Sequence, residues 1–309
     1  MSCCKQAATP FPNVDNIAWI RIAVTWLAAC VVYAPPVRSQ PTSDEPVRFA
    51  TANAIVPTNS ITAAAADQAL ASATSRPSAW PYQARAGQFQ IHSVLPAVKL
   101  QPYLSAVGSL RQEMIDSLGV AITDDRIDVV VLDSRASLDA YARRLVSDAP
   151  SRRALYIRHR GPGLVLTFFH PEWVQDVRHE CSHALLDASG IKLPLWQDEG
   201  LSEYFETVFR SPVEHGSHLA AICTQVKFGQ IADLHRLEQT DASEGLSPKD
   251  YREAWSVIAM LLHSSPETRD ALRGYLQDLQ SKRAAGFLSH RISTIVPSWR
   301  TAYGEFYRR

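Results

Sequence analysis

The chain has 309 residues, 46% of them hydrophobic, enough for one substantial core with room for a small appendage. Its 31 basic and 31 acidic residues cancel, and no basic run is long enough to follow a phosphate backbone, so nucleic acid is not an expected partner. Five cysteines are too few for a disulfide framework.

At the N-terminus, Arg21 precedes the apolar run Ile22-Ala23-Val24-Thr25-Trp26-Leu27-Ala28-Ala29, which has the length of a secretory core and is too short alone to span a bilayer. Residues 1–34 therefore read as a signal peptide or an anchor, and the protein is expected outside the cytoplasm, in the periplasm or cell envelope. Leu27-Ala28-Ala29-Cys30 matches a bacterial lipobox and makes Cys30 a candidate for lipidation, which would attach the protein to a membrane. The apolar run continues through Ala34, so a cleaved signal ending near Ala34 or Gln40 and an uncleaved anchor from Ile17 to Ala34 stand as alternatives. Residues 35–85 follow as a tether: seven of the 19 prolines fall between Pro35 and Pro81, amid Ser, Thr and Ala, a composition that buries too little apolar surface to order itself.

Residues 86–309 are expected to fold as an α+β domain, a small mixed sheet followed by a mainly helical part. Phe89–Val94 reads as a strand. Pro102–Leu118 reads as one helix with Leu104, Val107, Leu110 and Met114 on a stripe and Gly119 closing it. Ile127–Leu132 is a buried strand, and Ser134 caps a helix carrying Leu138, Tyr141 and Leu145. Strands near Ala154–Arg158 and Gly163–Phe169 flank a turn rich in glycine and proline. A helix is expected from about Pro171 to Ala188, ending at Gly190, and another from about Asp198 to Phe209.

The first of these two helices carries His179-Glu180-Cys181-Ser182-His183, the H-E-x-x-H pattern of zinc proteases. Residues four apart lie on one helix face, so both imidazoles can reach one metal ion, while Glu180, one step round, can reach the attacking water instead. A catalytic zinc takes three protein ligands and keeps one position open; the second helix supplies the third, acidic ligand. Val177 and Leu185 suit a half-buried helix, with Asp176 and Arg178 turned to solvent. Cys181 lies off the metal-facing side and reads as a small buried hydrophobe, a Cys181–Cys223 bridge being the alternative.

The second block, Pro194-Leu195-Trp196-Gln197-Asp198-Glu199-Gly200-Leu201-Ser202-Glu203-Tyr204-Phe205-Glu206, together with the first, resembles gluzincin metallopeptidases of the thermolysin and aminopeptidase N type. More narrowly the chain is similar to bacterial peptidase-MA-like domains, over about residues 86–265 and most strongly from 177 to 206. The resemblance implies one Zn²⁺ per chain, with Glu199 as third ligand beside His179 and His183, and peptide or protein as substrate. The segment by which aminopeptidases hold a free amino terminus has no counterpart, which favours endopeptidase action. Resemblance also implies that the strand just before the active-site helix, Gly163–Phe169, is an edge strand that pairs with extended substrate; a plain core strand is the alternative.

Asp187, four residues beyond His183, and Glu203, four beyond Glu199, are placed to accept a ring N–H from the histidines. In aminopeptidase-like relatives a tyrosine near the start of a later helix donates a hydrogen bond to the developing oxyanion. Ser247-Pro248-Lys249-Asp250-Tyr251 has that setting, with Ser247 as N-cap, and makes Tyr251 the candidate. The expected function is zinc-dependent peptide hydrolysis. A non-catalytic exported protein with a zinc-stabilised helix pair is the rival, and Glu180 argues against it, since a structural site has no use for a base.

Overall fold

In the computed structural model, residues 80–147, 149–157, 163–207, 216–240 and 245–308 are described. The expected signal, Cys30, the tether up to residue 79 and most of the turn at 159–163 lie outside them. The fold is α+β, as the sequence implies. Strands β1 (Tyr82–Ala86), β2 (Phe89–Ser93), β3 (Ile127–Leu132), β4 (Ala154–Ile157) and β5 (Leu164–Phe168) form one sheet in the order β1-β2-β3-β5-β4. β2, β3 and β5 run parallel, and the two edges, β1 and β4, are antiparallel to their neighbours.

Two expectations are corrected here. The folded domain starts before Ala86, because β1 is already in the sheet and Trp80 is buried. β1 buries fully only Ala86, so its sequence carries little apolar signal. The strand just before the H-E-x-x-H helix is not an edge: β5 is flanked by β3 and β4, and among the described residues the edge on that side of the sheet belongs to β4. The run Leu-Val-Leu-Thr-Phe of β5 is apolar on both faces, as an interior strand requires.

After α1 (Ala97–Leu100), the helix expected over Pro102–Leu118 is broken into a 3-10 turn (Gln101–Tyr103), α2 (Leu104–Gly108) and α3 (Leu110–Leu118). The last break falls where two backbones touch, since a Cβ on Gly108 would stand 3.1 Å from Gly87 N and 3.2 Å from the Ala86 carbonyl carbon. Gly119 closes α3 in the left-handed region at φ 65°. Ser134 caps α4 (Arg135–Leu145) by accepting the Ser137 N–H. α5 (Trp173–Ala188) begins two residues after Pro171, and α6 (Leu195–Phe205) starts three residues ahead of Asp198, launched by Pro194 in an extended conformation. Helices α7 (Gly216–Lys227), α8 (Leu234–Glu238), α9 (Pro248–His263), α10 (Pro266–Gln280), α11 (Leu288–Ile295) and α12 (Trp299–Tyr307) complete the chain.

Strand alternation divides the interior in two. Phe89, Ile91, Val129, Val131 and Val165 face the larger core with α5, α6 and α9, whereas Val130, Leu132, Leu155 and Leu166 face a smaller one with Trp80 and α4. α6 and α9 pack closely: a Cβ on Gly200 would stand 2.9 Å from the carbonyl carbon and oxygen of Ala254. No helix among the described residues is long and apolar enough to cross a membrane.

Candidate metal centre

α5 turns His179, Glu180 and His183 toward α6, and α6 sends Glu199 back between the histidines; all four side chains are buried. His179 Nε2 and His183 Nε2 are 3.3 Å apart, and Glu199 Oε2 lies 3.6 Å from the first and 3.5 Å from the second. Ligands about 2.0–2.1 Å from one ion at tetrahedral angles are separated by roughly 3.3–3.4 Å, so the triangle already has the size a single ion needs. The group can hold a metal ion.

The electrostatics agree. Burial disfavours a charged ring, yet Glu199 and Glu206 hold His179 well above its usual range, and Asp198 and Glu199 lift His183 to about 10. Burial also raises Glu199, but the two rings overcome it and bring its carboxyl down to about 2. The pocket favours positive charge between its members, which is the condition for a cation.

The groups that orient the rings differ from those expected. His179 Nδ1 faces Glu206 Oε2 at 2.9 Å, and His183 Nδ1 faces Asp198 Oδ1 and Ser202 Oγ, each at 3.1 Å. Glu203 instead places Oε2 3.1 Å from His218 Nε2, with His179 still feeling its charge, and Asp187 accepts the Tyr156 hydroxyl at 2.8 Å. Helix geometry explains the first correction. Seven residues turn the helix to within about 20° of its starting direction and four overshoot by about 40°, so Glu206 returns nearer the Glu199 stripe than Glu203 does. The i+7 spacing in the sequence was the available signal. Glu203 and Glu206 also gather around His179 closely enough to form a second metal-capable group, an acidic reserve behind that ring.

Arg178 overturns the expectation that it meets solvent: it is fully buried. Its Nε donates to the Phe205 carbonyl at 3.0 Å, Nη2 pairs with Glu113 Oε2 at 2.6 Å, and Nη1 donates to the Ala106 carbonyl. The helix bearing the histidines is thereby tied to the C-terminal end of the helix bearing Glu199. Asp176 is largely enclosed too, between Arg153 Nη2 at 2.8 Å and His170 Nε2 at 3.0 Å.

Glu180 Oε2 accepts the backbone N–H of Tyr156 at 2.7 Å, which lays the edge strand β4 along the metal centre. Tyr251 lies in the first turn of α9 behind the Ser247–Asp250 capping box and is buried. Arg152 interacts electrostatically with Glu180, Tyr251 and Glu199 together, so these four groups share one neighbourhood. Tyr204 is engaged elsewhere, its hydroxyl 2.6 Å from His263 Nε2. Cys181 and Cys223 are both free thiols, and burial pushes the Cys181 thiol far up, leaving it a packing residue. No protein-family model and no curated protein matches this chain.

Proposed function

We propose that this chain is a zinc-dependent metallopeptidase, exported through its N-terminal segment, with one Zn²⁺ held by His179, His183 and Glu199. One observation carries the reading: a buried two-histidine, one-glutamate triangle of ion-sized spacing, with Glu180 beside it on the same helix and hydrogen-bonded to an open strand edge. A purely structural zinc would need neither the carboxylate nor the edge.

Bound there, zinc would polarise the scissile carbonyl and lower the pKa of the attacking water. The chain's own residues do the rest. β4 offers the outward backbone groups that Glu180 does not hold to an extended peptide, which adds as a further strand. Glu180 takes the proton of the water as its oxygen attacks the carbonyl carbon, then delivers that proton to the amide nitrogen as the C–N bond breaks. The Tyr251 hydroxyl donates to the oxygen that gains negative charge. Glu206, Asp198 and Ser202 fix both imidazoles so that each presents Nε2 inward.

The test is metal analysis with a casein-type cleavage assay, alongside Glu180→Gln. Wild type is expected to bind one zinc and cleave; the variant keeps its zinc and loses activity by about 10²–10⁴, the range of a general base. Cleavage by Glu180→Gln at the wild-type rate would sink the proposal.

A further inference from the structure

Tyr156 of β4 grips α5 at two points. Its backbone N–H donates to Glu180 Oε2 at 2.7 Å, and its hydroxyl donates to Asp187 Oδ2 at 2.8 Å. Glu180 and Asp187 are seven residues apart on α5, two turns that return to nearly the same side, with roughly 10 Å of rise between them. One strand residue therefore spans the stretch of helix from the base past His183. Its surroundings hold it still. The strand pairs antiparallel with β5, Tyr156 lying opposite Val165, and the ring packs against the larger core. The ring also lies on Gly163, where a Cβ would stand 2.8 Å from Cε2 and 3.3 Å from the hydroxyl oxygen, so even a methyl group would crowd the phenol. Gly163 is itself fixed, its carbonyl accepting the Asp128 N–H at 3.0 Å.

We propose that Tyr156 and Asp187 are positioning residues for Glu180. They keep one oxygen of its carboxylate on the strand, so that the other takes the proton of the attacking water. A glutamate side chain rotates about several bonds, and only some of its rotamers bring the carboxylate within hydrogen-bond reach of that water. The backbone N–H alone is a weak hold, because β4 has only four residues and lies at an edge of the described sheet. The hydroxyl ties this short strand to the same helix that bears the base, so strand and base keep one spacing. This inference rests on the peptidase reading.

The experiment uses the full chain loaded with zinc and a fluorogenic casein substrate. Tyr156→Phe keeps the ring and the backbone N–H and removes only the hydroxyl. It should lower kcat by about 10–100-fold, the range for a misplacement of up to about 1 Å, while KM and zinc content stay near wild type. Asp187→Ala should lose as much. Asp187→Asn still offers an oxygen to the hydroxyl and should keep most of the activity. Combining Tyr156→Phe with Asp187→Ala should add little to either alone, since both break one contact. In the Glu180→Gln background Tyr156→Phe should cost less than about twofold, because the group it positions is no longer a base. A merely structural role would give the same loss in both backgrounds. Wild-type kcat in Tyr156→Phe, a loss carried by KM alone, or a loss undiminished in the Glu180→Gln background overturns this inference and leaves the peptidase reading standing. Wild-type cleavage no faster than that of Glu180→Gln overturns the peptidase reading itself, and the inference with it.

Discussion

The two faces of the sheet each bury a histidine against a carboxylate, and among the described residues only one of them gathers a group that can hold a metal ion. On the smaller face, His92 of β2 and Asp128 of β3 meet at 3.0 Å, with the Arg126 guanidinium 3.3 Å from the same carboxylate. These groups come from neighbouring strands and the residue just before one of them, and a single carboxylate meets both the ring and the guanidinium. On the larger face, His179 and His183 meet Glu199, Glu206 and Asp198, brought in by a second helix, so acid outnumbers base. A histidine–carboxylate pair is therefore not by itself a site. The difference lies in convergence from separate elements and in a surplus of acceptors that a cation can resolve.

The largest expected effect tests that contrast directly. Glu199→Ala or His183→Ala should abolish zinc binding, because a three-ligand site drops to two, while His92→Ala on the other face should leave one zinc per chain. Full occupancy in Glu199→Ala would give the third ligand to another carboxylate, with Glu203 the next to try. Tyr251→Phe should retain zinc and melting temperature but lower turnover at least about tenfold, and as much as 10²–10³, the usual loss for one oxyanion donor. Wild-type turnover in that variant would assign the ring to packing alone.

A smaller effect separates ligand from support. Glu206→Gln keeps a hydrogen-bonding group at His179 Nδ1 yet removes its charge, and competition with a chelator should read about 10–100-fold weaker zinc binding. Glu203→Gln should change the affinity less, and the reverse order would restore Glu203 as the ring's partner.

An effect on stability and not on the metal concerns Asp176, which like Asp128 lies between a histidine and an arginine. Burial pushes its carboxyl up from 3.8 to about 7, against the pull of Arg153. The folded chain thus holds this proton more tightly than the unfolded chain. Its contribution to stability is full below pH of about 4 and is lost as pH rises toward about 7. Asp176→Asn cannot lose a proton there, so its melting temperature should gain on wild type across that interval. A difference that is flat with pH would remove Asp176 from the account.

Much of this was legible in residue spacing. His179, Glu180 and His183 follow from four-residue helical spacing, Ser247 and Asp250 form the expected capping box, and Gly119 ends its helix as a left-handed closing residue should. What was not legible depends on the third dimension. Nothing local in Leu164–Phe168 says which strand lies beyond it, so edge and core readings stood side by side until the strand order decided for the core. β1 is nearly blank because an outermost strand needs little apolar surface. Arg178, a charged residue on the motif helix, reads as solvated until the Phe205 and Ala106 carbonyls and Glu113 are found waiting for it. Asp198 and Ser202 look like ordinary polar helix residues, and only the docking of α6 on α5 turns them to His183.

Gly200, next to the third ligand, sets a constraint of another kind. An alanine there would favour the helix by about 0.8–1.0 kcal/mol, so local propensity argues for replacement. Yet its Cβ would stand 2.9 Å from backbone atoms of Ala254, which cannot swing aside as a side chain can, and overpacking of this sort costs about 1–3 kcal/mol. Contact outweighs propensity. Ala254 lies one turn beyond Tyr251, so the missing methyl group acts as a spacing gauge between the helix that carries Glu199 and the helix that carries Tyr251. A residue with no side chain thus sets how closely those two helices approach.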